Sequence, residues 1–164
     1  MGELDYSDPE PLYELKGHRN AILSLGFSPD GRSLVTGGLD SYLLFYQLNR
    51  ASHHYRLNGH TDLVHSVHFA ADHSGRYGFI LSGSRDKTVR LWRMNMALNR
   101  PEVDERSPSS PKTSVYHCAS TVRFVHSSPD LESFCTGSDD KSVKVWSTQV
   151  PNKRLQTLLG KKNL

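Results

Sequence analysis

Cysteine is nearly absent: Cys118 and Cys135 are the two in 164 residues. Two thiols exclude a disulfide framework and a four-cysteine zinc site, and a reducing compartment is the expected setting. Long apolar runs are also missing, and none approaches the ~18 residues of a membrane-spanning helix. Charge of one sign is lacking too. Lys plus Arg number 20 against 17 for Asp plus Glu, a net +3, which excludes a supercharged nucleic-acid arm and an acidic solvating tail. The N-terminal MGELDYSDPEPL is acidic and has no apolar stretch, unlike a secretory leader. Tyr6 stands where a myristoylation signal needs Ser or Thr. GxxxxGK[ST], GxGxxG, CxxC and HxxxH do not occur, so no nucleotide, metal or other cofactor is expected.

What is present is a repeat. Three blocks, LKGHRNAILSLGFSPDGRSLVTGGLDSYLLFY, LNGHTDLVHSVHFAADHSGRYGFILSGSRDKTVRLW and VYHCASTVRFVHSSPDLESFCTGSDDKSVKVW, share one skeleton. Asp40, Asp86 and Asp140 each precede a large aromatic by six residues (Tyr46, Trp92, Trp146) and follow a hydroxyl by four (Thr36, Ser82, Thr136). Gly17-His18 and Gly59-His60 open the first two units. His18 to Asp40 and Cys118 to Asp140 both span 22 residues, so Cys118 holds the His position of the third. Each unit reads as short apolar runs separated by turn residues, with no sustained helical period. Short strands on a period near 45 residues fit four-stranded propeller blades and an all-β fold.

These blocks resemble WD40 repeats over roughly residues 12–160, through the Gly-His start, the SGSRDKTVRLW-type ending and the spacing between them. The resemblance implies a buried hydrogen-bonded tetrad in each blade. Carried onto this chain it is His60, Ser82, Asp86 and Trp92 in the second unit. The first has His18, Thr36 and Asp40, with Tyr46 for the indole, and the third has Thr136, Asp140 and Trp146, with Cys118 for the imidazole. The Asp that ends the family's name motif is replaced by Gln47, Arg93 and Ser147. A buried carboxylate requires donors, and a thiol donates weakly, so the third blade is expected to be the least stable. The family's binding positions on the narrow top face fall on Asn20, Leu39, Asp62, Arg85 and Asp139.

The expected organisation is an acidic tail at 1–11 and an incomplete propeller at 12–164, with repeats at about 15–48, 57–94 and 115–148. Residues 95–114, rich in Pro, Ser and charge, read as a disordered insert between the second and third blades. Ser107-Pro108 and Ser110-Pro111 there are candidate proline-directed phosphorylation sites, with a solvated linker the plainer reading. Leu12–Lys16 reads as the outer strand of a preceding blade. RLQTLLGKKN reads as the outer strand of the third blade, followed by a fourth unit with Lys161 at the His position. A closed propeller needs about four to eight blades, so three read as a truncation: a splice form, a gene-model fragment or a degenerate copy. An open wedge of three leaves two apolar faces bare. Self-association, ring completion with another chain or instability is then expected, and two wedges would offer six blades.

Other chemistry is accounted for by the repeat. His65 and His68 lie three apart on a strand, and His53-His54 and His117-Cys118 are adjacent pairs, so none of them chelates well. Cys135 reads as core and Cys118 as a repeat-position substitution, so no nucleophile emerges and no enzyme is expected. Arg85, Lys87, Arg90, Lys141 and Lys144 recur, and Lys153, Arg154, Lys161 and Lys162 make the tail basic. They suit an acidic partner such as a tubulin surface or RNA, but ordinary solvated positions flanking the turns and strands are the favoured reading. Nucleic acid is not favoured, because no aromatics interleave the basic residues.

A narrower resemblance is to the N-terminal part of the centriolar WD40 family called proteome-of-centriole protein 1. It is carried by DPEPLYELKGHRNAI, LDSYLLFYQL, YRLNGH, GSRDKTVRLW, STVRFVH and SDDKSVKVWST in that order. It implies a non-enzymatic scaffold in centriole or basal-body assembly or ciliogenesis, in the cytoplasm and cytoskeleton, with centriolar proteins or tubulin as partners and no membrane. The alternatives are a WD40 subunit of an RNA-processing or ubiquitin-ligase complex, or a product without independent function.

Overall fold

The computed structural model describes residues 8–50, 53–149 and 154–159. The basic tail residues Lys153, Lys161 and Lys162, and residues 1–7 of the acidic tail, lie outside them. The described residues fold as three antiparallel blades in sequence order, each with four strands in its main order, the second carrying one further short strand beside a separate two-stranded ribbon. The first comprises β1 (Ile22–Phe27), β2 (Ser33–Gly38), β3 (Leu43–Gln47) and β4 (His54–Leu57), with a 3-10 turn at Leu48–Arg50 before β4. The second comprises β5 (Val64–Ala71), β6 (Tyr77–Ser84) and β7 (Thr88–Asn95). Short strands β8 (Arg100–Pro101), β9 (Val103–Asp104) and β10 (Ser107–Pro111) then precede its outer strand β11 (Thr113–His117). The third comprises β12 (Val122–Ser127), β13 (Ser133–Ser138), β14 (Ser142–Ser147) and β15 (Arg154–Leu159).

Local chemistry explains the strand ends. In the β1–β2 turn, Ser28 Oγ donates to Asp30 (2.6 Å) and Arg32 N–H donates to the same carboxylate (3.0 Å). Asp130 repeats both bonds with Ser128 and Glu132. This turn needs one left-handed residue, supplied by Gly31 (φ 72°) and Gly75 (φ 65°) but by Leu131 (φ 63°) in the third blade. That strain costs Leu131 about 1–2 kcal/mol, and burial of its side chain between the second and third blades offsets a similar amount.

The two largest buried clusters lie between blades, and a smaller one, Tyr42, Leu44 and Tyr46 with Leu15 and Leu34, lies on the first blade alone. Val35, Leu43, Phe45 and Leu57 of the first blade meet Val64, Val67, Phe69 and Trp92 of the second. Leu81, Val89, Leu91 and Tyr116 of the second meet Val122, Val125, Phe134 and Trp146 of the third. The two joints share one construction. A Cβ on Gly37 would lie 2.7 Å from Val64 Cγ1 and 3.0 Å from Val67 Cγ1, and on Gly83 it would lie 2.7 and 3.0 Å from Val122 and Val125 Cγ1. Val67 N–H donates to Ser24 Oγ (3.1 Å), as Val125 N–H does to Ser66 Oγ (3.4 Å).

Two expectations are corrected. The insert is neither unpaired nor between blades: it lies inside the second blade, between β7 and its outer strand β11. β8 returns along β7 through Met94 and Asn95, and β9 pairs with β10. The Pro-Ser composition is overridden because Met96 buries in the first inter-blade cluster. Asn99 also anchors to the first blade, accepting from Ser33 Oγ (2.7 Å) and Gln47 Nε2 (2.6 Å). Ser107 and Ser110 accordingly sit on β10 and bond to each other (3.2 Å). Leu12–Lys16 forms no strand, since no sheet edge among the described residues receives it. It instead lies over the first blade, where the Lys16 and Gly17 carbonyls accept from the Tyr46 and Tyr42 hydroxyls (3.3 Å each).

His68 of β5 and His126 of β12 meet across the second joint, their rings tilted by 32° with centroids 4.1 Å apart. Burial, and then the charge of His126, lower the His68 pKa from 6.5 to about 4. The unfolded chain therefore binds the proton first, so this site's contribution to stability is complete above pH 6.5 and is lost as pH falls toward 4. Urea midpoints are expected to drop between pH 7 and pH 5, and His68→Gln should flatten that slope.

Candidate functional site

The second blade assembles its four polar residues into one chain of hydrogen bonds. His60 Nδ1 lies 2.8 Å from Asp86 Oδ2, and its Nε2 lies 2.7 Å from Ser82 Oγ. Trp92 Nε1–H donates to the same hydroxyl (2.9 Å). The carboxylate accepts only, so Nδ1 carries the proton and Nε2 accepts from Ser82. Asp86 also accepts from Thr61 N–H (3.1 Å), Thr88 N–H (2.9 Å) and Thr88 Oγ1 (2.6 Å). Burial pushes this carboxyl up, but the bonds from His60 and Thr88 outweigh it and hold it well below the ordinary range. The network ties the loop entering the blade to the turn between β6 and β7. In all three blades the residue after the Asp is left-handed: Ser41, Lys87 and Lys141, φ 62–69°.

The first blade repeats this with His18, which lies 2.8 Å from Asp40 and 2.7 Å from Thr36. Arg19 and Asn20 N–H donate to the Asp40 carboxylate (2.9 and 3.2 Å). Tyr46 turns its hydroxyl to the Lys16 carbonyl. In the third blade Trp146 Nε1–H donates to Thr136 Oγ1 (3.0 Å). Asp140 is not left to a thiol: Lys144 Nζ donates to it at 2.6 Å, and Ser142 supplies its N–H (2.9 Å) and hydroxyl. Burial raises the Asp140 pKa, yet these bonds bring it to about 2. Cys118 packs against the second inter-blade cluster, and burial raises its thiol to about 11, so it is no nucleophile at neutral pH. The donor that the thiol does not supply to Asp140 comes from the Lys144 ammonium.

Lys144→Met is expected to cost about 2 kcal/mol by leaving Asp140 uncompensated. Asp140→Asn in that background should recover most of it, because the charge is then removed with its partner. Chemical denaturation of the single and double variants reads both.

The five top-face residues gather at one end of the blades. Leu39, Arg85 and Asp139 N–H donate to the Ala21, Leu63 and Thr121 carbonyls (3.0–3.1 Å), the same loop pairing three times. Asn20 Oδ1 accepts from Ala21 N–H (2.9 Å), and Asp62 pairs with Arg85 (2.9 Å). Asp139 takes a bidentate bond from Arg123 (2.8 and 3.0 Å). Arg123 and His65 were not anticipated. Each sits where the inner strand's register slips by one residue, as it also does at Leu23, and such bulges re-aim a side chain. His65 Nε2 is buried without a hydrogen-bond partner. Burial, then the Arg123 charge, hold the His65 pKa below its ordinary value. The residue one place into each inner strand marks this position, but only the pairing register exposes it. The recurrent cations do not form a free basic stripe: Lys144 is inside its blade, Arg85 is paired, and Arg90 lies over Trp92.

Antiparallel four-stranded blades stacked face to face, each tied by an Asp-centred network, are β-propeller blades. Residues 9–47, 51–93 and 109–147 match the family model described as WD domain, G-beta repeat, and the chain belongs to that family. It is 29% identical over 153 residues to mitochondrial division protein 1 of Schizosaccharomyces pombe, covering 88% of this chain and 22% of that protein. It is 24% identical over 158 residues to the guanine nucleotide-binding protein subunit beta of Oryza sativa subsp. japonica, covering 92% and 39%. To the ribosome biogenesis protein WDR12 homolog of Drosophila virilis it is 32% identical over 122 residues, covering 71% and 26%. The chain thus spans well under half the length of these relatives.

Proposed function

We propose that the chain is a protein-interaction module that uses the loop end carrying Asn20, Leu39, Asp62, Arg85 and Asp139, extended by His65 and Arg123. The observation that carries this is the charge pattern there. Asp62–Arg85 and Arg123–Asp139 flank His65 on adjacent blades, on a framework held by the networks around Asp86 and Asp140. A fixed surface with alternating charge selects a partner of complementary pattern and penalises others. Within this reading the chain acts in centriole or basal-body assembly, in the cytoplasm and cytoskeleton, and contacts centriolar proteins or tubulin. The order of the sequence runs shared with the centriolar family supports that assignment. The Drosophila virilis relative favours a second reading, a subunit of an RNA-processing complex. Imaging of the tagged chain against centriole and nucleolar markers, with microtubule co-sedimentation, separates them. Centriolar signal with tubulin binding is expected, and nucleolar signal without it would overturn the centriolar reading.

A further inference from the structure

Four Ser-Pro pairs occur, at 28–29, 107–108, 110–111 and 128–129, and the fold gives their hydroxyls different surroundings. Ser28 is buried and Ser128 half-buried, each in the turn between the first two strands of its blade. Each hydroxyl donates to an aspartate, Asp30 or Asp130 (2.6 Å), and accepts from the N–H of Ser33 or Ser133 (3.0 and 3.1 Å). A phosphate there would break the turn and face a carboxylate. Ser107 is half-buried and pairs with Asp104 across the β9–β10 ribbon, so a phosphate on it also meets a carboxylate. Ser110 differs. The ribbon pairs Ser107 with Asp104 and Pro111 with Val103, so Pro108, Ser109 and Ser110 bulge from the ladder with no counterpart on β9. All three are exposed. Pro108, Ser109 and Pro111 face a groove of about 350 Å³ against β4, and Ser110 stands outside it. The base of the insert is stitched to β7, where Glu102 N–H donates to the Arg93 carbonyl (2.9 Å) and Arg93 N–H to the Lys112 carbonyl (3.0 Å). The bulge can therefore enter an enzyme cleft without opening the blade.

We infer that Ser110 is the phosphate acceptor for a proline-directed protein kinase, and that a phosphate on Ser110 excludes a second one on Ser107. The acceptor is exposed on an extended segment, and Pro111 after it brings no N–H that a kinase cleft must satisfy. In the step, Ser110 Oγ attacks the γ-phosphorus of ATP. The Oγ–P bond forms as the bond from that phosphorus to the β–γ bridging oxygen breaks, ADP leaves, and the hydroxyl proton passes to the kinase's carboxylate base. Ser107 Oγ already donates to Ser110 Oγ (3.2 Å), so it donates to the new phosphate in a stronger, charge-assisted bond. The same closeness bars a second group, because two phosphates on oxygens 3.2 Å apart repel each other. The ribbon sets Glu102, Asp104 and Glu105 against Arg106 and Lys112, so an added charge of about −2 makes it strongly acidic. Ser110 lies on the insert and not at the loop end proposed for partners, so either reading can fail alone.

The test is a time course of the folded chain with ATP, Mg²⁺ and either a cyclin-dependent or a mitogen-activated kinase, read by intact mass and by fragment mass spectrometry. A single phosphate per chain is expected, on Ser110. Ser110→Ala should lower the initial rate about tenfold or more, and Ser107→Ala by less than about twofold, since the other Ser-Pro hydroxyls are held in turns or against Asp104. A second phosphate, on Ser107, should form about tenfold more slowly than the first. Neither side chain belongs to a buried cluster, so both variants should fold, and circular dichroism checks it. A parent chain left unmodified by both kinases would overturn the inference. So would first modification at Ser28, Ser107 or Ser128, or filling of Ser107 and Ser110 at equal rates.

Discussion

Trp92→Ala is expected to cost about 4 kcal/mol. The indole is fully buried between the first two blades and is also the donor that completes the Ser82 bond. Removing it opens a cavity in the first joint and leaves Ser82 Oγ without its indole donor. Trp92→Phe keeps most of the volume and loses the N–H, so it should cost only about 1–2 kcal/mol. Asp86→Ala strips acceptors from His60, Thr61 and Thr88 at once, and about 3 kcal/mol is expected. Domain stabilities are about 5–15 kcal/mol, so each of the two alanine variants consumes a large part of the margin. Trp146 is then the single remaining indole in Trp92→Ala, and its fluorescence during urea unfolding reports whether the third blade melts with the second. Coincident loss of fluorescence and circular dichroism is expected, because the blades share their cores.

Gly83→Leu should separate the second and third blades. Even the first added carbon would lie 2.7 Å from Val122 Cγ1 and 3.0 Å from Val125 Cγ1. Both are buried on a neighbouring strand and have no room to retreat. Overpacking a rigid contact costs about 1–3 kcal/mol, and the upper end is expected here. The same substitution at Gly137 meets only Phe124 at 3.7 Å, so it should shift the unfolding midpoint little. Thermal and urea unfolding of the pair compares a glycine packed inside a joint with one that is not. Equal destabilisation would contradict the assignment of Gly83 as a socket.

Much of this was legible because repeats constrain one another. Three coincident offsets marked Asp40, Asp86 and Asp140 with a hydroxyl and an aromatic each; the structure joins all of them through His60 in the second blade, whereas Tyr46 bonds Lys16 and Asp140 bonds Lys144 and Ser142 instead. Lys144 was hidden for a physical reason. Its counterparts are Leu44 and Arg90, so nothing in the repeat pattern marks the position as a carboxylate partner once Cys118 removes the imidazole. His65 and Arg123 were hidden because a bulge is a property of pairing, not of residue type. The insert misled because its Pro and Ser outnumber the two groups that dock it, Met96 and Asn99.

The most direct test of the central claim is quantitative affinity capture from cells with the parent chain and an Arg85→Glu, Asp139→Arg variant. Both residues are exposed in paired surface positions, so the variant should fold and unfold like the parent. The account predicts that it loses a discrete set of protein partners at least tenfold while retaining the parent's oligomeric state. An unchanged set of partners, at unchanged recovery, would contradict a loop end that selects them.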